Sequence, residues 1–196
     1  LSYPPKIYQD SKTSHLLEVI KQYPLATIIS VENNTPIITH LPLIYKSKKL
    51  IGHIDKQNPH ANLLREGKAV TVIFSGPDCY ISPSLLGAKE LPTWNYIKVH
   101  LQGTVSEIKN ENAIKQSMVD MTAFLEAPEN SYLLDFNNPK MEKFINYVMG
   151  FEIDILQWEG KFKLSQNNSE EVRELTKQQL ILSQKTSIKP FLDHLY

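Results

Sequence analysis

Short apolar runs broken by tight turns dominate the first 108 positions, a spacing that predicts strands more than helices. Leu25 to Val31 is rich in β-branched residues and reads as a strand. Glu32-Asn33-Asn34-Thr35 is a turn, and Pro36 to His40 is the returning strand. Leu41 to Tyr45 extends it past Pro42, which places that proline at an edge or bulge. Lys46-Ser47-Lys48-Lys49 turns the chain into a strand from Leu50 to Ile54. Ala69 to Phe74 and Cys79 to Ser82 read as further strands, and Trp94 to Ile108 as one long strand with a bulge at Gly103. Two helical signals interrupt this series. Leu16, Leu17 and Ile20 form an apolar stripe, capped by Asp10 or Ser11 and ended by Pro24. Asn58-Pro59 starts a short helix that runs to about Gly67.

Beyond residue 108 the period changes. Asn110 caps a helix that carries Ile114, Met118, Met121 and Leu125 on one face, and Ala127-Pro128-Glu129-Asn130 breaks it. Pro139 opens a second helix, through Val148, with Gly150 as its stop. Phe151, Ile153 and Ile155 alternate with Glu152 and Asp154, so 151–158 reads as a half-buried strand that returns to the sheet. Ser169 caps a last helix with Glu170 and Glu171 in its first turn, where carboxylates suit the dipole. The expected class is mainly β with helices (α+β), a barrel or sandwich. We expect a single domain over 1–183, with a helical insertion at about 110–149 and a C-terminal tail at 184–196.

Composition narrows the function classes. The 196 residues suffice for one sizeable core. Twenty-one basic residues balance twenty-one acidic ones, so the chain carries no net positive field to draw in nucleic acid or an anionic membrane. Cys79 is the single cysteine and reads as a buried strand residue; no intrachain disulfide can form, which fits a reducing compartment. No apolar run reaches membrane-spanning length, and the first residues lack a signal-peptide core. The expectation is a cytoplasmic protein with no membrane partner.

Four patches gather polar groups beside strands: Thr39-His40-Leu41-Pro42, Gly52-His53-Ile54 running on to Asn58, Trp94-Asn95-Tyr96, and Lys161-Phe162-Lys163-Leu164-Ser165-Gln166-Asn167. A tryptophan beside an amide and a phenol can hold a planar polar ring, the faces stacking for roughly 0.5–1.5 kcal/mol beyond burial. The competing reading puts Trp94 into a core gap. If extended, Lys161, Lys163 and Ser165 share one face, and two ammonium groups with a hydroxyl suit a phosphate. The competing reading there is an edge whose lysines discourage strand pairing. His40, His53, His60 and His100 have no metal-site spacing, so no metal is expected. Gly-x-Ser-x-Gly, P-loop and Gly-x-Gly-x-x-Gly motifs are absent, which leaves a nucleophilic triad and a dinucleotide fold without support. The helix after Ser169 carries Arg173 and Lys177 but also Glu170, Glu171 and Glu174, a poor recognition helix for DNA.

The ordered blocks Thr-His-Leu-Pro, Gly-His-Ile with Asn-Pro, Ile-Phe-x-Gly-Pro, Tyr-Ile-Ser-Pro-Ser, Pro-Thr-Trp-Asn-Tyr, Val-His-x-x-Gly, Gly-Phe-Glu-Ile and Lys-Phe-Lys-Leu-Ser-Gln-Asn resemble the PaiB family over roughly residues 3–180. The resemblance implies a dimeric, FMN-binding split β-barrel, related to the pyridoxamine-phosphate oxidase and flavin reductase folds. It further implies a negative transcriptional regulator or flavin-based sensor; the alternative is a flavin-dependent oxidoreductase, and no residue stands out as catalytic. By the same resemblance FMN lies at a homodimer interface. Thr39, His40 and Leu41 would run along its ring system, and His53 and Asn58 would approach its phosphate and ribityl chain. Trp94 and Asn95 would reach the ring, and Lys161, Lys163, Ser165 and Gln166 would form a late wall. The chain departs from the family pattern at Leu85 and Leu86, where aromatics are common, and at Asn168, where a basic residue is common.

Overall fold

The computed structural model describes residues 3–86 and 91–184, so the tail expected from 184 onward lies outside the described residues apart from Gln184. In chain order the elements are β1 (Gln9–Asp10), α1 (Thr13–Gln22), β2 (Leu25–Glu32), β3 (Thr35–Pro42), β4 (Ile44–Lys46), β5 (Lys49–Asp55), β6 (Ala69–Ile81), β7 (Thr93–Ile108), α2 (Glu111–Glu126), α3 (Pro139–Phe144), β8 (Val148–Lys163) and α4 (Glu170–Ser183). The strands form an open, mostly antiparallel sheet in the order β3-β2-β6-β7-β8-β5-β4, with β1 paired to β8. The chain divides into two units. The larger comprises Ser11–Ser75 and Val99–Glu159, and the smaller Leu1–Asp10, Gly76–Lys98 and Gly160–Tyr196.

In the larger unit, Asn33 and Asn34 both adopt left-handed backbone (φ 49° and 62°). That is the two-residue turn whose twist matches a hairpin, and it fixes the β2–β3 register from Glu32↔Thr35 to Leu25↔Pro42. The strand does not run on past Pro42, and β4 restarts at Ile44, because a proline has no N–H to continue a ladder. Alternate residues of β2 face inward: Ala26, Ile28 and Ser30 are buried, while Leu25 and Val31 are exposed. The core of this unit gathers Leu16 and Ile20 of α1 with Ile28, Leu50, Phe74, Phe151 and Ile153 from the sheet.

Several local expectations are corrected. Asp10 belongs to β1, and α1 starts after Lys12 with no side-chain cap. Asn58 does cap the segment that follows, accepting a hydrogen bond from His60 N at 3.0 Å, but that segment is a 3-10 turn, Pro59–Asn62, rather than a helix to Gly67. Gly76 and Pro77 stay extended, so the two strands expected around them are one, β6. The second helix of the 110–149 region ends at Phe144 because β8 already pairs with β5 from Val148, which puts Gly150 inside the strand opposite His53. Gly103 is explained by close packing: a Cβ there would lie 2.5 Å from Asp154 O and 2.6 Å from Ile153 Cγ2.

α2 is capped as expected, with Asn110 Oδ1 accepting from Ala113 N at 3.0 Å. It buries Ile114, Ser117 and Met121, whereas Leu125 stays about half exposed. Lys115 is buried on the same helix and holds carboxylates of Glu142 at 2.5 Å and Glu111 at 3.2 Å.

The smaller unit has a partly polar interior. Ile81 and Cys79 are buried with Asn95, Ser165 and Thr176. Burial pushes the Cys79 thiol above its ordinary value, so it is a poor thiolate. Ser169 caps α4 as expected, accepting from Val172 N.

Candidate functional site

Within the smaller unit, β7 and the end of β8 bring Thr93, Asn95, Lys163 and Ser165 onto one cavity of about 320 Å³. Tyr8, Asn167 and Asn168 complete its polar wall, and Leu86, Leu91 and Pro92 its apolar wall. The alternation of β7 turns Asn95 inward, leaving it 1% exposed. Ser165 follows β8 with left-handed backbone (φ 62°), and this bend directs its hydroxyl to Asn95 Oδ1, which accepts at 3.1 Å. Lys163 donates to Thr93 Oγ1. Tyr8 donates to Asn167 Oδ1 at 2.9 Å. Among the described residues no carboxylate lines the cavity.

The other expected residues of this unit have separate tasks. Lys161 donates to Tyr3 O at 2.6 Å beside the β1–β8 pairing, so Lys161 does not line the cavity although it lies two residues before Lys163 in β8. Gln166 braces its own loop, accepting from Leu164 N at 2.8 Å and donating to Phe162 O. Trp94 points away from the cavity and fills no core gap, being half exposed. Its Nε1 donates to Asp78 Oδ1 at 3.3 Å, its ring lies 6.1 Å from that of Tyr80, and Lys98 pairs with the same Asp78 at 2.8 Å. Tyr8 and Thr93 were not singled out by the sequence. Thr93 stands in the Pro-Thr-Trp-Asn-Tyr block without a role read from it and Tyr8 in no quoted block, and only the fold shows that they share a wall.

Within the larger unit, Thr39 and Ser30 hold His60 between them, with Nδ1 2.8 Å from Thr39 Oγ1 and Nε2 3.0 Å from Ser30 Oγ. His60 is fully buried, and desolvation pushes its pKa below the ordinary value. His53 Nε2 lies 2.6 Å from Ser117 Oγ, and burial lowers its pKa to about 4. Leu41 is in the core. His40 is the exposed member of its triplet, 3.0 Å from Thr27 Oγ1 through Nδ1. Ser30 also lines a groove of about 620 Å³, whose walls mix Val31, Leu63 and Leu156 with Lys68, Thr71 and Gln102. Among the described residues no three His, Cys, Asp or Glu side chains gather as metal ligands, and no helix is long and apolar enough to cross a membrane.

An open, mostly antiparallel sheet of this order with four helices is the split β-barrel of flavin-binding proteins. Residues 2–157 match the family described as "Putative FMN-binding domain", and the chain belongs to it, within the PaiB family. Its relative in Bacillus subtilis, "Protease synthase and sporulation protein PAI 2", is 29% identical over 173 residues, covering 86% of this chain and 84% of the relative. The FAD and heme binding protein of Mycobacterium smegmatis superposes with a TM-score of 0.67 at 17% identity, covering 85% of this chain and 78% of that one. The flavocytochrome Anf3 of Azotobacter vinelandii gives 0.65 at 16% identity, covering 85% and 74%. At such identities these two structures speak for the fold alone. The family assignment makes this a flavin-binding PaiB-like protein with FMN as its cofactor.

Proposed function

We propose that the chain is a cytoplasmic homodimer that binds FMN and acts as a flavin-based sensor or negative transcriptional regulator. The observation that carries this reading is the outer face of the β2–β3 hairpin. Leu25, Thr27, Ile29 and Val31 share that face with Ile38 and His40 by strand register. Leu25, Val31 and Ile38 are 63%, 66% and 54% exposed, and exposed apolar residues grouped on one face mark a candidate contact surface. A flat apolar strip carrying one polar pair, Thr27–His40, fits a planar heteroaromatic ring and a second copy of the chain.

His40 is the side chain we place against the ring edge, since its Nε2 makes no bond among the described residues. Exposed Lys56 and the half-buried Asn58, in the loop after β5, offer donors for the phosphate. Thr39, Leu41 and His53 would act from below, by fixing the strands that carry these groups. When bound, FMN supplies reversible electron transfer, and the protein supplies shape, orientation and exclusion of water. Direct DNA contact is disfavoured by α4, where Lys177 is already paired with Glu174 at 3.1 Å and Glu170 and Glu171 crowd the first turn. The oxidoreductase reading draws on the cavity at Asn95 and Lys163, which gives a small molecule a place to bind.

Titration of FMN into the purified chain tests the proposal. Expected are quenched flavin fluorescence, visible flavin bands and a particle of twice the chain mass. A colourless protein that leaves FMN fluorescence unchanged would overturn it. Oxidation of NAD(P)H by the loaded protein would favour the enzyme, and salt-sensitive retention of promoter DNA the direct repressor.

A further inference from the structure

The smaller unit's cavity is short of acceptors and rich in donors. Asn95 is 1% exposed, and its carbonyl oxygen is taken by Ser165, so its NH₂ is left without a partner among the described residues on the wall it lines. Tyr8 takes the carbonyl oxygen of Asn167, leaving a second NH₂ there. Lys163 gives one N–H to Thr93 and makes no ion pair among the described residues. Among the described residues no fully buried side-chain polar atom lacks a partner, so this amide reaches the cavity, where an incoming acceptor can bond it. With the Lys163 ammonium on the same wall, the group that complements these donors is an acceptor-rich anion.

The charge balance selects which anion. Among the described residues one ammonium group and no carboxylate face the cavity. A carboxylate neutralises it; a phosphate monoester, near two negative charges at neutral pH, would leave excess charge in a half-enclosed site. The volume of about 320 Å³ stands at the small end of ligand sites. Leu86, Leu91 and Pro92 supply one apolar wall, and Leu91 is 84% exposed.

We infer that this cavity is a binding site for a small organic carboxylate, its head on Lys163 and the Asn95 and Asn167 amides and its apolar body against Leu86, Leu91 and Pro92. The site goes beyond the flavin reading and stands without it; where both hold, it supplies the class of molecule that the flavoprotein senses or transforms.

The test titrates sodium benzoate and sodium butyrate into ¹⁵N-labelled full chain at constant ionic strength and follows the side-chain amide signals. Expected are saturable shifts of the Asn95 and Asn167 NH₂ pairs, and about tenfold or more weaker binding in Lys163→Met, as befits loss of a charge-assisted hydrogen bond. Lys163→Arg should keep most of the affinity and reports on whether the fold tolerates change there. Absence of saturable shifts, or equal binding by Lys163→Met, overturns the inference. A second arm adds FMN and riboflavin. If FMN displaces benzoate, and Lys163→Met weakens FMN but not riboflavin, the cavity is the seat of the flavin phosphate and the carboxylate assignment falls. If neither flavin binds while benzoate does, the flavin reading fails and this one stands.

Discussion

The imidazole Nε2 of His53 and the hydroxyl of Ser117 lie 2.6 Å apart, joining the middle of β5 to the buried face of α2. The same hydroxyl donates to Ile114 O at 2.7 Å. Its one proton is thus committed to a backbone carbonyl, and the bond to His53 must be donated by the ring. This fixes the tautomer and rules out a serine activated by that histidine, because an activated hydroxyl donates to the base.

Neutral His53 gives the protein a definite acid response. Its native pKa is lowered from 6.5 to about 4, so between those values the unfolded chain binds the proton and the native one does not. Stability is therefore full above pH 6.5 and falls as pH drops toward 4, by about 3 kcal/mol for a shift of this size. Denaturant unfolding at pH 7, 5.5 and 4.5 should show this loss in wild type and less of it in His53→Gln. An unchanged pH dependence in the variant would mean that His53 is not the group responsible.

Much of this frame can be read from the chain, for reasons that are local. Asn33-Asn34 specifies a hairpin turn, and Asn110 and Ser169 are capping residues just ahead of helical periodicity, so each signal acts within a few residues. The misreadings come where distant pairing overrides local signs. Gly76-Pro77 looks like a break but lies within a long strand, and Gly150 looks like a helix stop but sits opposite His53. The candidate site is legible in part for the same reason. Asn95, Lys163 and Ser165 stand in motifs, Thr93 stands in one without a role read from it, and Tyr8 joins them only through the fold; Lys161 shares β8 with Lys163 but is drawn to the carbonyl of Tyr3.

Gly103 and Gly67 should respond in opposite ways to alanine. At Gly103 the new Cβ would press on the carbonyl of Asp154, which belongs to a paired strand and cannot yield cheaply. A loss of about 1–3 kcal/mol is expected from overpacking. At Gly67 nothing lies within 4 Å, and only the left-handed backbone (φ 73°) resists, for about 1 kcal/mol. Urea midpoints of Gly103→Ala and Gly67→Ala measure both, and a milder loss at Gly103 would contradict the close approach.

The proposed seam predicts that charge on the hairpin face separates two copies. Ile38→Glu, on an exposed position already 54% open, should leave the monomer's fold intact by circular dichroism while reducing the particle to one chain in sedimentation. FMN affinity should fall with it, since the ring is placed on the same strip. A variant that stays dimeric and binds FMN as wild type would move the seam, and the flavin, elsewhere.

The Asn95–Ser165 bond predicts a graded series. Asn95→Ala leaves a buried hydroxyl without its acceptor, at a cost of about 1–3 kcal/mol. Ser165→Ala and Ser165→Gly both delete the hydroxyl, yet they differ in backbone: at φ 62° alanine keeps the left-handed strain that glycine escapes, about 1 kcal/mol. Glycine should therefore be the milder change despite removing more atoms. Asn95→Ala combined with Ser165→Ala should cost less than the two single losses added, because one bond is being removed twice. Urea midpoints of the four variants supply the comparison. Strict additivity, or alanine milder than glycine at 165, would mean that neither the hydrogen bond nor the turn governs this corner of the cavity.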